Sequence, residues 1–168
     1  MIVNDAHLHL LVNHLPVVGS LIAVPLLLIA LWLPRDRGAL LGAVLVLVLA
    51  GGGAFVAEQT GHDAEEVVED LPDVSEPYIE EHEERAEIAT WVAGLAALAG
   101  LAVLALVRGR EETPRVWVAA LLVAALVSMG TLGWTSAAGG VIRHSEIRDG
   151  SPPPLTDGHS HDHDDDDD

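Results

Sequence analysis

Four long apolar blocks, each without Asp, Glu, Lys or Arg, alternate along the chain with polar punctuation. They cover residues 15–33, 38–57, 88–107 and 116–142, and each reaches the roughly 20 residues with which a helix crosses about 30 Å of hydrocarbon. Backbone groups in hydrocarbon must be hydrogen-bonded within their own segment. The blocks therefore predict an all-α integral membrane four-helix bundle with both chain ends on one side.

The punctuation is uneven. An acidic stretch over residues 58–87 is interrupted by Leu71-Pro72-Asp73 and Ser75-Glu76-Pro77. This predicts a second helix running past the membrane to about Asp70, a turn, and a third helix starting near Pro77, with Ser75 as N-cap and the proline in the first turn. Both helices then project beyond the bilayer as an acidic collar around a loop at 61–79. Pro16 and Pro25 fall in the first span, Gly51, Gly52 and Gly53 in the second, and Gly94, Ala96, Ala97 and Gly100 in the third. Small residues of this kind let membrane helices approach closely, and we assign them to packing. Gly150, Ser151 and the prolines at 152–154 end any helix. The chain thus divides into a bundle over 1–148 and a His/Asp-rich tail over 149–168, whose composition is that of disorder.

Charge sets the orientation. All eight basic residues are Arg, and five of them (Arg35, Arg37, Arg108, Arg110, Arg115) lie in the two short turns joining spans one to two and three to four. By the positive-inside rule those turns are cytoplasmic. The N-terminus, the acidic loop and the tail are then extracytoplasmic, and the expected location is the plasma membrane. The inner turns carry a net +2 and the outer side −20, which accounts for the −18 of the whole chain. Trp32 and Trp117 fall near the inner boundary and Trp91 and Trp134 near the outer one, as interfacial indoles do. Met1 to His9 contains Asp5 and no basic residue, so the start lacks the n-region of a cleavable signal and the first span is expected to be retained. So acidic an outer side excludes nucleic acid and anionic headgroups as partners there and favours cations. The dense carboxylates fit adaptation to high salt and a base-composition bias equally.

There is no cysteine, so any metal must use nitrogen and oxygen ligands. All nine histidines lie toward the outer end. His7, His9 and His14 precede Pro16, with His14 the deepest and seven residues from His7. Glu58, His62, Glu65, Glu66 and Glu69 fall mostly on one stripe of the second helix. His82 stands among Glu80, Glu81, Glu83 and Glu84, and His144 ends the fourth helix. Each helix thus delivers an imidazole to one layer. The candidate metal ligands are His9, His14, Glu65, Glu66, His82, Glu83 and His144, because imidazole with carboxylate suits zinc, iron or copper. Two imidazoles such as His14 and His82 would alternatively hold a b-type haem axially. No His-Glu-x-x-His and no paired Glu-x-x-His is present. His159, His161 and His163 with the terminal aspartates form a separate chelating or solubilising run.

His9-Leu-Leu-Val-Asn-His14-Leu-Pro16-Val resembles the His-Pro-x-x-Val-His-Phe-Pro-Ile type opening of a group of bacterial and archaeal four-helix membrane proteins built on a domain of unknown function. Thr60-Gly61 with Ala64-Glu65-Glu66, His82-Glu83, and Gly139-Gly140 with Ile142-Arg143-His144 and Glu146-Ile147 resemble the later motifs of one branch. The resemblance spans residues 7 to 147. Similar proteins are sometimes fused or adjacent to redox domains such as Rieske proteins, which implies a haem or metal role.

The expected function is a membrane metal or haem site at the outer face, serving electron transfer or metal handling, with a redox protein or other membrane subunits as partners. A cation transporter would need polar residues at mid-membrane, where the spans offer little beyond Ser20, Thr90, Ser128 and Thr131. A non-catalytic subunit of a larger complex is the remaining alternative. Catalysis has least support, since neither a nucleophile spaced to a base nor a phosphate-binding glycine loop is present.

Overall fold

The computed structural model describes residues 4–68, 74, 76–148 and 150. Five α-helices follow in order: α1 (Asp5–Val12), α2 (His14–Trp32), α3 (Arg37–Val68), α4 (Glu76–Val107) and α5 (Arg115–Arg143), then a 3-10 turn at Ser145–Ile147. α1 and α2 together make the first of four helices long and apolar enough to cross a membrane. The expected all-α four-helix bundle is what forms. At a rise of 1.5 Å per residue, the 32 residues of α3 extend about 48 Å, well beyond the hydrocarbon thickness, and α4 is equally long. The proposed Ser75 cap and the 149–168 tail, Gly150 apart, lie outside the described residues.

The first helix begins ahead of its apolar block. The Asn4 side chain accepts from His7 N–H at 3.0 Å and caps α1, and Asp5 adds a negative charge in the first turn. At Asn13 α1 passes into α2 through a residue that keeps right-handed helical angles (φ −62°, ψ −19°) and donates its N–H to His9 O at 2.9 Å. Pro16, three residues on, has no N–H to give the Val12 carbonyl. α3 approaches closely here, since a Cβ on Gly53 would lie 3.0 Å from Leu15 Cβ and 3.4 Å from Pro16 Cδ. α1 packs on α3, whereas α2 packs on both α3 and α5.

At the arginine end, the two turns are sewn together. Thr113 N–H donates to Pro34 O at 2.8 Å, Arg35 pairs with Glu112, and Arg37 donates to the α4 C-terminal carbonyl of Val107 at 2.8 Å and to that of Arg110. The core at this end is branched: Leu27, Leu40, Val44, Leu47, Val107, Val118 and Leu121 are all almost fully buried. Toward the other end it tapers to Ala54, Ala57, Thr60, Ala89, Ala93, Thr135 and Ala138. Between the two zones, Ser20 and Ser128 meet at 3.3 Å across α2 and α5, each supplying the other's partner in an apolar setting.

The small residues differ in their surroundings. A Cβ on Gly51 would stand 3.1 Å from Ala93 O and 3.2 Å from Ala97 Cβ, both rigid parts of α4, whereas Gly52 has nothing within 4 Å. Gly51→Leu should therefore cost about 1–3 kcal/mol by forcing α3 from α4, while Gly52→Leu should leave stability unchanged. Thermal unfolding of the two variants in detergent measures the contrast.

Candidate metal-binding end of the bundle

Two imidazoles are docked in the same way on different helices. His9 of α1 places Nδ1 2.8 Å from Ala57 O of α3, and His82 of α4 places Nδ1 3.0 Å from Thr135 O of α5. A carbonyl oxygen accepts, so Nδ1 of each ring carries a hydrogen, and in the neutral tautomer with that hydrogen Nε2 keeps its lone pair. Each accepting carbonyl lies within a helix and has a second lone pair to offer. Four residues on from each is a glycine: Gly61 after Ala57, and Gly139 after Thr135.

The glycines give the rings their space. A Cβ on Gly61 would lie 3.3 Å from His9 Cε1 and Nδ1, and one on Gly139 would lie 3.0 Å from His82 Cε1 and 3.2 Å from its Nδ1. Each ring thus sits in a notch made by one carbonyl and the glycine a turn later. The two rings approach edge to face, with centroids 6.5 Å apart and planes at 88°. Both are partly buried. Arg85, three residues from His82, lies over the Trp134 ring at 4.5 Å and pairs with Glu81, while Thr135 Oγ1 donates to Arg85 O at 2.9 Å. Arg148 lies over Tyr78 at 4.8 Å and donates to the α5 carbonyls of Val141 and Ile142. These contacts fix α4 against α5 at the height of His82.

Farther out, where α3 and α4 project, a second group forms. His62, Glu65 and Glu83 offer ligand atoms that all lie within 4.8 Å of one another. His62 and Glu65 share a face of α3 at i, i+3, and Glu83 comes from α4. His62 Nδ1 is 3.1 Å from Glu83 Oε1, with the imidazole 74% and the carboxylate 31% exposed. The hydrogen bond to Glu83, and then the Glu83 charge, raise the His62 pKa above 6.5, and Glu65 and Asp63 add to this.

The single predicted layer is therefore two layers. His9 and His82 share the inner one; Glu65 and Glu83 join His62 in the outer one. His14 is exposed, as is His7 seven residues before it, and makes no hydrogen bond or ion pair among the described residues, whereas His82 is partly buried. His144 is also exposed and is turned to Glu146 at 2.9 Å. Glu66 is exposed and stands outside the His62 group. The sequence puts His62 on the acidic stripe, and its i, i+3 spacing to Glu65 is the one local signal that it belongs with the carboxylates.

Two outcomes follow from this geometry. Gly139→Ala should displace the His82 ring and lengthen its bond to Thr135 O, costing about 1–3 kcal/mol, and imidazole ¹⁵N resonances should report the loss of the Nδ1 partner. The His62–Glu83 contact should stabilise the fold fully below pH about 6.5 and fade as pH rises through the higher folded pKa of His62. The melting-temperature difference between wild type and His62→Gln, followed with chelator present, should shrink toward alkaline pH. Known protein families, curated proteins and solved structures provide no match to this chain.

Proposed function

We propose that the protein is a membrane metal-handling protein that binds a divalent transition-metal ion at the acidic, extracytoplasmic end of its bundle, through His62, Glu65 and Glu83. The observation that carries this reading is the convergence of three donors from two helices within 4.8 Å. Metal–ligand bonds of about 2.0–2.2 Å set neighbouring donors roughly 3 Å apart, close to the 3.1 Å between His62 Nδ1 and Glu83 Oε1. Small rotations of exposed side chains bring in Glu65. Two carboxylates and one imidazole neutralise a dication and suit zinc, iron or manganese better than the axial positions of a haem.

The surroundings support capture from water. The outer side of the chain carries −20 by formal charge, which raises the local concentration of cations and speeds their arrival. The arginine-rich turns at the other end support an extracytoplasmic position for this face. Handling by binding fits better than conduction, because Leu27, Leu40, Leu47 and Leu121 close the bundle toward the arginine end.

Zinc titration of the full-length chain with His159, His161 and His163 replaced by Ala should reveal one tight equivalent. His62→Ala and Glu83→Gln should each weaken it at least about tenfold. Unchanged affinity in both variants overturns the assignment, as does a haem absorption band in the purified protein with no bound metal by elemental analysis.

A further inference from the structure

The arginine end of the bundle carries a cleft whose chemistry is opposite to that of the acidic end. Pro34, Arg35, Glu112, Thr113, Pro114 and Arg115 line it, and its volume is about 330 Å³, within the roughly 300–1,000 Å³ of small-molecule sites. Its walls are the turn between α2 and α3 and the start of α5. Thr113 N–H donates to Pro34 O at 2.8 Å and Arg115 Nε donates to Leu31 O at 3.3 Å, so the two walls are tied to each other.

The lining groups are mostly donors. Arg37 is committed elsewhere, to Val107 O and Arg110 O. Arg35 is exposed and pairs with Glu112, and Arg115 engages Leu31 O through Nε, which leaves further N–H groups of both five-donor forks to bind a ligand. α5 opens at Pro114 without a side-chain cap, and the first N–H groups of a helix have no carbonyl to bond within it and carry partial positive charge. Thr113 supplies an independent observation. It is only 4% exposed, it lines the cleft, and its Oγ1 has no hydrogen-bond partner among the described residues. A buried hydroxyl in that state is costly, and an acceptor reaching the cleft relieves the cost. Glu112 is the one carboxylate in the lining, and Arg35 already holds it. This donor set fits a phosphate, which guanidinium groups bind through paired N–H···O bonds.

The neighbourhood indicates what carries the phosphate. Arg115 also lines a second cleft, with Leu31 and Trp32. Trp32 is 81% exposed although it ends an apolar helix, and Trp117, two residues past Arg115, is exposed as well. Indoles at such positions mark the membrane interface. Arg115 thus stands between a polar cleft and an apolar one, as the phosphate of a phospholipid stands between its headgroup and its acyl chains.

We propose that the cleft between the α2–α3 turn and the start of α5 binds the phosphate of an anionic phospholipid, with Arg35, Arg115 and the Thr113 hydroxyl as donors and the acyl chains lying along Leu31 and Trp32. A zwitterionic headgroup would bring a cation beside two arginines, so an anionic lipid is preferred. The site lies at the opposite end of the bundle from His62, Glu65 and Glu83 and is independent of metal binding.

The test uses the full-length chain in detergent, with ligand retention read by native mass spectrometry during titration with dioleoylphosphatidylglycerol, dioleoylphosphatidylcholine or inorganic phosphate. One phosphatidylglycerol should be retained, at least about tenfold more tightly than phosphatidylcholine. Arg35→Gln/Arg115→Gln should remove that preference, whereas Arg108→Gln/Arg110→Gln, which removes the same charge between α4 and α5, should keep it. Thr113→Val should weaken phosphatidylglycerol binding about threefold while leaving the melting temperature in lipid-free detergent unchanged or higher, because valine needs no partner. Equal loss in the two arginine double variants overturns the proposal, since it shows diffuse charge attraction, and so does unchanged affinity in Arg35→Gln/Arg115→Gln. Retention of inorganic phosphate at these arginines with no preference between the two lipids overturns the lipid as the source of the phosphate. If Arg35→Gln/Arg115→Gln does not keep its helical content, Thr113→Val decides: weakened phosphatidylglycerol binding at retained stability supports the site, and unchanged binding overturns it.

Discussion

Everything at the histidine-bearing end depends on how closely the helices approach one another there. Gly53 lets α3 come up to Leu15 and Pro16, where a Cβ would lie 3.0 Å from Leu15 Cβ, and Pro16, which has no N–H to give the Val12 carbonyl, is buried in that contact. α1 packs on α3, which carries His9 onto the Ala57 carbonyl, while His7 and His14, seven residues apart, are both exposed.

A second constraint is the taper of the core. Leucine and valine fill the arginine end, where the turns are locked by Arg37, Thr113 and the Arg35–Glu112 pair. Alanine, glycine and threonine line most of the other end, with Tyr78, Ile79 and Leu132 as larger buried side chains. Branched aliphatic packing makes one end rigid and dry. Small side chains at the opposite end expose backbone carbonyls to incoming imidazoles. The same residues that bring helices together thus also admit the polar groups between them.

The carbonyl-and-glycine notch recurs on α3 and α5 with the same four-residue spacing, once at Ala57 and Gly61 and once at Thr135 and Gly139. In both cases a carbonyl within a helix accepts from an imidazole because the following turn has no side chain in the way, and Ala57 O also accepts from Thr60 Oγ1 at 3.2 Å. Gly61 adjoins His62, and His82 adjoins Glu83. Consecutive residues therefore serve the inner and outer layers. The inner layer holds the two partly buried imidazoles, and the outer one joins an exposed imidazole to two carboxylates.

The sequence by itself determined the all-α four-helix bundle, its four helices long and apolar enough to cross a membrane, and the concentration of imidazole and carboxylate at one end. Those features follow from the length and apolarity of local segments and from the run of acids between the second and third, which one segment's chemistry dictates. It also placed Pro77 correctly in the first turn of α4. Which histidines meet was decided by tertiary structure alone. His9 meets its carbonyl because α1 packs on α3, and the seats of both rings depend on glycines more than fifty residues away in the chain. His62 joins Glu83 because α3 and α4 remain side by side beyond their apolar stretches. Helical periodicity fixes a residue's angle on its own helix; convergence across helices is set by the crossing of the helices and by the space that their glycines leave.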